Sequence, residues 1–190
     1  MTTFSAQIAA SSDDADQAAG SVDLTASIMN ANSASQYIGL RFLNVTIPNA
    51  ATINSASISL NFTSASYDDP DVTIYAEATD DSTTFTTGSS NISGRTSTSA
   101  TVTWTATGIG TGTKTSPDIK TVIQEIVNRA GWTSGNDINI IIKGNGGSSA
   151  FRIRSYDAGS DYPQINIDYT AGGGSTQPSR TMHQFRMRTA

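Results

Sequence analysis

Apolar and polar residues alternate with a period of two along most of this 190-residue chain. Between positions 54 and 63, Ala56, Ile58, Leu60 and Phe62 fall on one side of an extended backbone, and Ser55, Ser57, Ser59 and Asn61 on the other. A strand places every second side chain on the same face, so this spacing predicts a half-buried strand. The pattern returns at Val22, Leu24, Ala26 and Ile28, at Ile38, Leu40 and Phe42, and at Val72, Ile74, Ala76 and Ala78. It recurs at Val102, Trp104 and Ala106, at Ile138, Ile140 and Ile142, at Phe151 and Ile153, and at Ile165, Ile167 and Tyr169. Residues 4–9 carry a weaker version. About nine strands follow, many near the common length of about 5–6 residues.

One segment departs from the alternation. In SPDIKTVIQEIVNRAGW, residues Ile119, Val122, Ile123, Ile126 and Val127 fall at i, i+3, i+4, i+7 and i+8, the stripe of an amphipathic helix. Ser116 reads as its N-cap, Pro117 as its first helical residue, and Asp118 as a charge complementing the helix dipole. Arg129 sits near the C-terminal end, and Gly131 reads as a left-handed stop. The helix is expected to cover an open end of a sandwich. Turn chemistry clusters at Asp68-Asp69-Pro70-Asp71, at 108–112, at 144–147 and at 157–163. Residues 80–99 form a long Ser/Thr-rich connection whose apolar anchors are Phe85 and Ile92. Connections of this length are often functional or mobile.

The pattern predicts an all-β protein: an antiparallel, jelly-roll-like β-sandwich over residues 1–170, with one short amphipathic helix. Residues 171–190 differ. TAGGGSTQPS has the composition of a flexible linker. It leads into a basic arm in which Phe185 and Met187 alternate with Arg186 and Arg188. With Arg180 and Met182 these form a candidate partner-binding set, because such a segment can add as a strand to another chain's sheet edge.

Charge sharpens this division. Residues 1–171 hold all sixteen carboxylates and eight cations, leaving −8, whereas residues 172–190 hold three arginines and no acid, leaving +3. Hydrophobic residues make up only 36% of the chain and charged residues 14%, with Ser, Thr, Asn and Gly filling the difference. Small hydroxyl side chains suit the exposed faces of sheets. The absence of cysteine removes disulfides, thiolate metal sites and cysteine nucleophiles. No apolar run approaches the roughly 20 residues of a membrane-spanning helix, so no membrane partner is expected. The opening MTTFSAQIAASSDDADQ lacks the basic and apolar regions of an export signal, so none is expected.

Three stretches, YIGLRFLNVTIPNAATINSASISL, SPDIKTVIQEIVNRAGWTSGN and RIRSYDAGSDYPQINIDY, resemble β-sandwich modules of bacterial surface proteins and phage structural proteins, in the style of DNRLRE-type and carbohydrate-binding-module-like jelly rolls. The resemblance covers roughly residues 5–170, and the arm lies outside it. It implies a non-catalytic appendage and carries over no catalytic residue.

Candidate chemistry is sparse. The single histidine, His183, lies in the arm, away from any predicted nucleophile or second metal ligand. A glycosidase needs two placed carboxyls. Of the two glutamates, Glu125 is expected to face solvent from the helix and Glu77 to lie on the outward face of a strand. Calcium takes carboxylate and carbonyl oxygens from loops, so Asp13, Asp14 and Asp16, or Asp68, Asp69 and Asp71, are the candidate metal ligands. Tyr67, Tyr75 and Tyr162 are candidate glycan contacts, set against ordinary cross-strand pairing. A net −8 on the sandwich repels phosphate and argues against nucleic acid. The expected function is non-enzymatic: a virion protein on the particle surface, a capsid decoration or a tail or fibre component. It would be a homo-oligomer, a trimer fitting a capsid lattice, with the arm docked on a capsid or tail protein. The alternative is a secreted or cell-surface carbohydrate-binding module or adhesin that takes surface glycans.

Overall fold

Twelve strands and one α-helix order the chain, in a computed structural model that describes residues 1–63, 70–146 and 151–172. In sequence they are β1 (Thr2–Gln7), β2 (Asp14–Ala18), β3 (Ser21–Asp23), β4 (Ile28–Asn30), β5 (Gln36–Phe42), β6 (Thr52–Phe62) and β7 (Asp71–Ala76). Then come β8 (Val102–Thr105), β9 (Gly112–Thr115), α1 (Lys120–Val127), β10 (Ile138–Gly144), β11 (Arg152–Arg154) and β12 (Gln164–Thr170). One sheet has the order β1-β12-β6-β11-β4, with β9 also paired to β6, and the other has the order β3-β2-β5-β10-β7-β8. Every strand pairing is antiparallel.

The inward residues of the two sheets form one core. Ile38, Leu40 and Phe42 of β5 and Ile140 and Ile142 of β10 meet Ile58, Leu60 and Phe62 of β6 and Ile165 and Ile167 of β12. Phe62, Trp104 and Phe151 pack edge to face around one point, with ring centroids 5.0–6.0 Å apart. Trp132, buried after the helix, donates its indole N–H to the Ile47 carbonyl at 2.9 Å. That bond satisfies the one polar group of a large buried ring.

The helix packs on β6 of one sheet and β7 of the other, with Val122, Ile123, Ile126 and Val127 buried, and so spans both layers. Its start differs from the expected cap. The cap position is Ile119, which supplies no side-chain bond; Ser116 serves β6, and Asp118 Oδ1 is shared between β6 and the first helical amide, Lys120 N–H, at 2.9 Å. Ile58 N–H donates to Ser116 Oγ at 3.1 Å and Ala56 N–H to Asp118 Oδ1 at 3.0 Å. Further along the same strand, Ile53 N–H donates to Gln124 Oε1 at 2.8 Å. Sheet amides left without a strand partner compete for the same side-chain oxygens a helix would use, and a buried unpaired N–H is the costlier loss. Gly131 does not adopt a left-handed conformation. Its lack of a side chain admits the Asp80 carboxylate, which pairs with Arg129 at 2.6 Å.

Other departures have local causes. β2 and β9 were not expected, because DADQA and GTKT carry no apolar alternation. The alternation read across Val22–Ile28 divides into β3 and β4, which belong to different sheets. The crossing shifts the phase by one residue, burying Met29 and leaving Ile28 41% exposed.

The long 80–99 connection lies on the outer face of the second sheet. Phe85 and Ile92 are buried there with Ala15, Val22, Tyr75 and Ile141. The Arg95 guanidinium stacks on Phe85, 4.7 Å from the ring centre. It donates to Glu77 Oε2, to the Thr83, Thr84 and Asn91 carbonyls and to Asn91 Oδ1 at 2.7–3.3 Å. Gln17 Oε1 accepts from both Ile92 and Ser93 N–H at 3.0 Å. Gly39 lies directly under the Phe85 ring, where a Cβ would overlap the aromatic carbons. Gly39→Ala is therefore expected to destabilise the fold by about 1–3 kcal/mol through overpacking. Because the clash is with one ring, its cost should shrink in a Phe85→Ala background. Urea midpoints of the four proteins of this double-mutant cycle check both statements.

Candidate functional site

One cluster of buried polar residues lies where β2, β4 and the 3₁₀ turn Tyr156–Ala158 meet. Asp14 is 1% exposed and its Oδ2 accepts the Tyr156 N–H at 2.7 Å. Burial pushes its carboxyl up to about 7, against the opposing pull of that N–H, with the negative charges of Asp157 and Asp13 adding to the rise. Two residues along the same strand, Asp16 is raised too, again chiefly by burial. Its Oδ2 accepts from Asn30 Nδ2 at 3.3 Å, and its Oδ1 is buried without a partner. Asp157 anchors the turn to the start of the chain by accepting the Ser11 hydroxyl at 2.9 Å.

Beside this cluster lies a pocket of about 280 Å³ lined by Ser27, Ile28, Thr63, Arg154, Asp157 and Ala158. Among the described residues the ionic partner of Arg154 is Asp161, at 4.0 Å, so its guanidinium offers further donors toward the pocket. On and just beyond the 3₁₀ turn, the half-buried rings of Tyr156 and Tyr162 stack 4.9 Å apart with a 31° tilt. The pocket thus combines a cation, a carboxylate, two hydroxyls and the exposed side chain of Ile28. A second, more open pocket of about 410 Å³ lies at Glu77, Thr83, Asn91 and Arg95. Its charged pair is structural. Arg95 bonds Glu77 at 2.7 Å, and Glu77 also accepts from the fully buried Asn139 at 2.8 Å.

The residues expected from sequence are placed as follows. Asp13 is engaged by Arg41 at 2.9 Å, an arginine that also bonds Asp137 and the Ser82 carbonyl. Asp71 accepts from the Asn145 side chain at 3.0 Å. Among the described residues no group of three or more His, Asp or Glu side chains is placed to hold one metal ion. Tyr75 is not an exposed platform. It is buried in the cluster under the 80–99 connection, and burial, with the neighbouring Tyr37, pushes its hydroxyl up to about 12. Tyr162 remains half-exposed beside Tyr156. Glu125 does not simply face solvent, because its two oxygens accept the Ser99 and Ala100 N–H groups at 2.8 and 2.7 Å. Tyr67, Asp68 and Asp69, and the arm residues Arg180, Met182, His183, Phe185, Arg186, Met187 and Arg188, lie outside the described residues.

Ser27, Ile28, Thr63, Arg154 and Asp157 were not singled out from the sequence. The usable signal was Arg152-Ile153-Arg154, two arginines on the outward face of a strand in a chain poor in cations. No protein-family model matches the chain, and no curated protein matches it in sequence. Among the described residues no helix is long and apolar enough to cross a membrane.

The folded Asp14 carboxyl binds its proton more tightly than the ordinary value of 3.8 allows in an unfolded chain. Its contribution to stability is therefore full below about pH 4 and falls as the pH rises toward 7, by on the order of a few kcal/mol. Asp16 acts in the same direction. Asp14→Asn keeps an oxygen for the Tyr156 N–H and removes the charge. It is expected to raise the urea midpoint at pH 8 and to flatten its decline between pH 4 and 7. Parallel declines in the two proteins would refute the assignment.

Proposed function

We propose that this chain is a non-catalytic structural protein of a virus-type particle, attached through its cationic C-terminal arm to a capsid or tail subunit. The observation that carries the reading is the separation of charge, −8 over residues 1–171 against +3 over residues 172–190. Opposite potentials steer docking, and a segment alternating arginine with Phe185 and Met187 suits strand addition to a partner's sheet edge. Supporting it, the charged side chains buried in the sandwich act as internal staples. Arg41 joins Asp13 to Asp137, and Arg95 joins Glu77 to the loop that covers the outer face. An antiparallel sandwich with a tied-down outer loop suits a particle surface, where the protein must persist rather than turn over substrate.

A second reading, a carbohydrate-binding module or adhesin, is favoured by one observation: the pocket of Arg154, Asp157, Ser27 and Thr63 beside the stacked Tyr156 and Tyr162. Charged groups and hydroxyls can take sugar hydroxyls, while aromatic faces and Ile28 can pack on C–H surfaces.

Deleting residues 175–190 is expected to leave a folded sandwich that no longer co-sediments with purified particles. Normal decoration by the truncated protein would overturn the attachment reading. A glycan array separates the second reading: specific binding that is lost in both Arg154→Ala and Tyr162→Ala would favour it, and a blank array would remove it.

A further inference from the structure

The ends of the two sheets are not alike. The first sheet ends in β1 and β4, and the second in β3 and β8. β3 and β4 have three residues each and β8 has four. Short edge strands are one way a protein blunts unwanted pairing. β1 has six residues, TTFSAQ, with no charge, no proline and no register break against β12. Among the described residues it carries none of the usual edge protection.

Among the described residues no strand pairs with the outer edge of β1, and its main-chain groups divide residue by residue. Ile8 donates its N–H to the Pro163 carbonyl at 3.0 Å, extending the β1–β12 register by one pair. Antiparallel pairs alternate, so Ala6, Phe4 and Thr2 also turn their main-chain groups toward β12. Thr3, Ser5 and Gln7 turn theirs to the open side. On the core face, Phe4 and Ala6 pack against the central cluster but stay half-exposed, with no further strand among the described residues to cover them.

We propose that this edge pairs with β1 of a second copy of the chain, antiparallel about a two-fold axis through Ser5, making one continuous sheet. In that register Thr3 faces Gln7 of the second copy and Ser5 faces its own equivalent, which gives about six main-chain hydrogen bonds. Phe4 falls opposite Ala6 of the second copy, twice by symmetry, so a large ring covers a small residue on the core face of each half. No other register about a two-fold axis brings all three outward residues into bonded pairs. The neutrality of β1 matters, because two bodies of −8 repel and any like charge directly opposite would add to that. An isologous edge contact closes after two copies. It therefore makes a dimer rather than the trimer that a capsid lattice suggests, and it stands independently of the arm.

Sedimentation equilibrium of the full chain from micromolar to millimolar concentration should show a monomer–dimer equilibrium. Added salt should strengthen it by screening the acidic bodies, the opposite of its effect on docking of the cationic arm. Ser5→Lys places like charges face to face at an exposed position and should weaken dimerisation at least about tenfold. Since the chain has no cysteine, Ser5→Cys should oxidise to a cross-linked dimer far faster than Thr103→Cys on the exposed β8 edge. A wild-type chain that stays monomeric at millimolar concentration would overturn the proposal. So would a Ser5→Lys variant that dimerises as the wild type does, or equal cross-linking at the two positions.

Discussion

The buried amides of β6 set the constraint around which the rest of the molecule is arranged. This strand is eleven residues long and central, and every main-chain group along it needs a partner. One side is met by β12 and, at its far end, by β11. The other side is met by β9 only from Ser59 to Phe62. Beyond Ser59 the chain changes to helix, so the remaining amides take Ser116, Asp118 and Gln124 side chains in place of a thirteenth strand. The helix is thus fixed to the sandwich by polar bonds as well as by its apolar stripe, and its first amide shares the Asp118 carboxylate with β6.

The same economy governs the few charges. Arg41 and Arg129 bridge segments far apart in sequence, Arg95 ties its own loop to Glu77, and Arg41 and Arg95 donate to carbonyls as well as to carboxylates. A guanidinium offers five donors in a planar fork, so one side chain can tie together several loop carbonyls at once. This makes the 80–99 connection a third layer over one sheet. It also explains why β10 carries Ile141 on its outer face: Ile140 and Ile142 face the central core, and Ile141 faces Phe85 and Ile92.

Three regions then remain for interaction, and they differ in chemistry. The Arg154 pocket offers polar groups around an apolar spot at one end of the sandwich. The β1 edge offers neutral main-chain groups at the side. The C-terminal arm offers positive charge opposite an acidic body.

Strict alternation at Ala56–Phe62, Val72–Ala76 and Ile165–Tyr169 was enough by itself to determine an antiparallel sandwich, and the 3.6-residue stripe from Ile119 to Val127 was enough to determine one helix. In both cases a solvent boundary runs along the element and leaves its period in the residue types. The charge division between body and arm was equally legible, because net charge needs no geometry. Tertiary structure alone decided which sheet each strand joins, and with it the fate of individual side chains. Tyr75 reads as exposed by alternation, yet a loop from residues 80–99 buries it; Ile28 reads as buried, yet a crossing between sheets exposes it. Ser116 has ideal capping chemistry, but the amide that claims it, Ile58, lies 58 residues earlier in the chain, and Asp118 divides one oxygen between Lys120 of the helix and Ala56, 62 residues earlier. Periodicity reports only that an element has a wet and a dry side, whereas the identity of the neighbour on each side is set by contacts between residues distant in sequence.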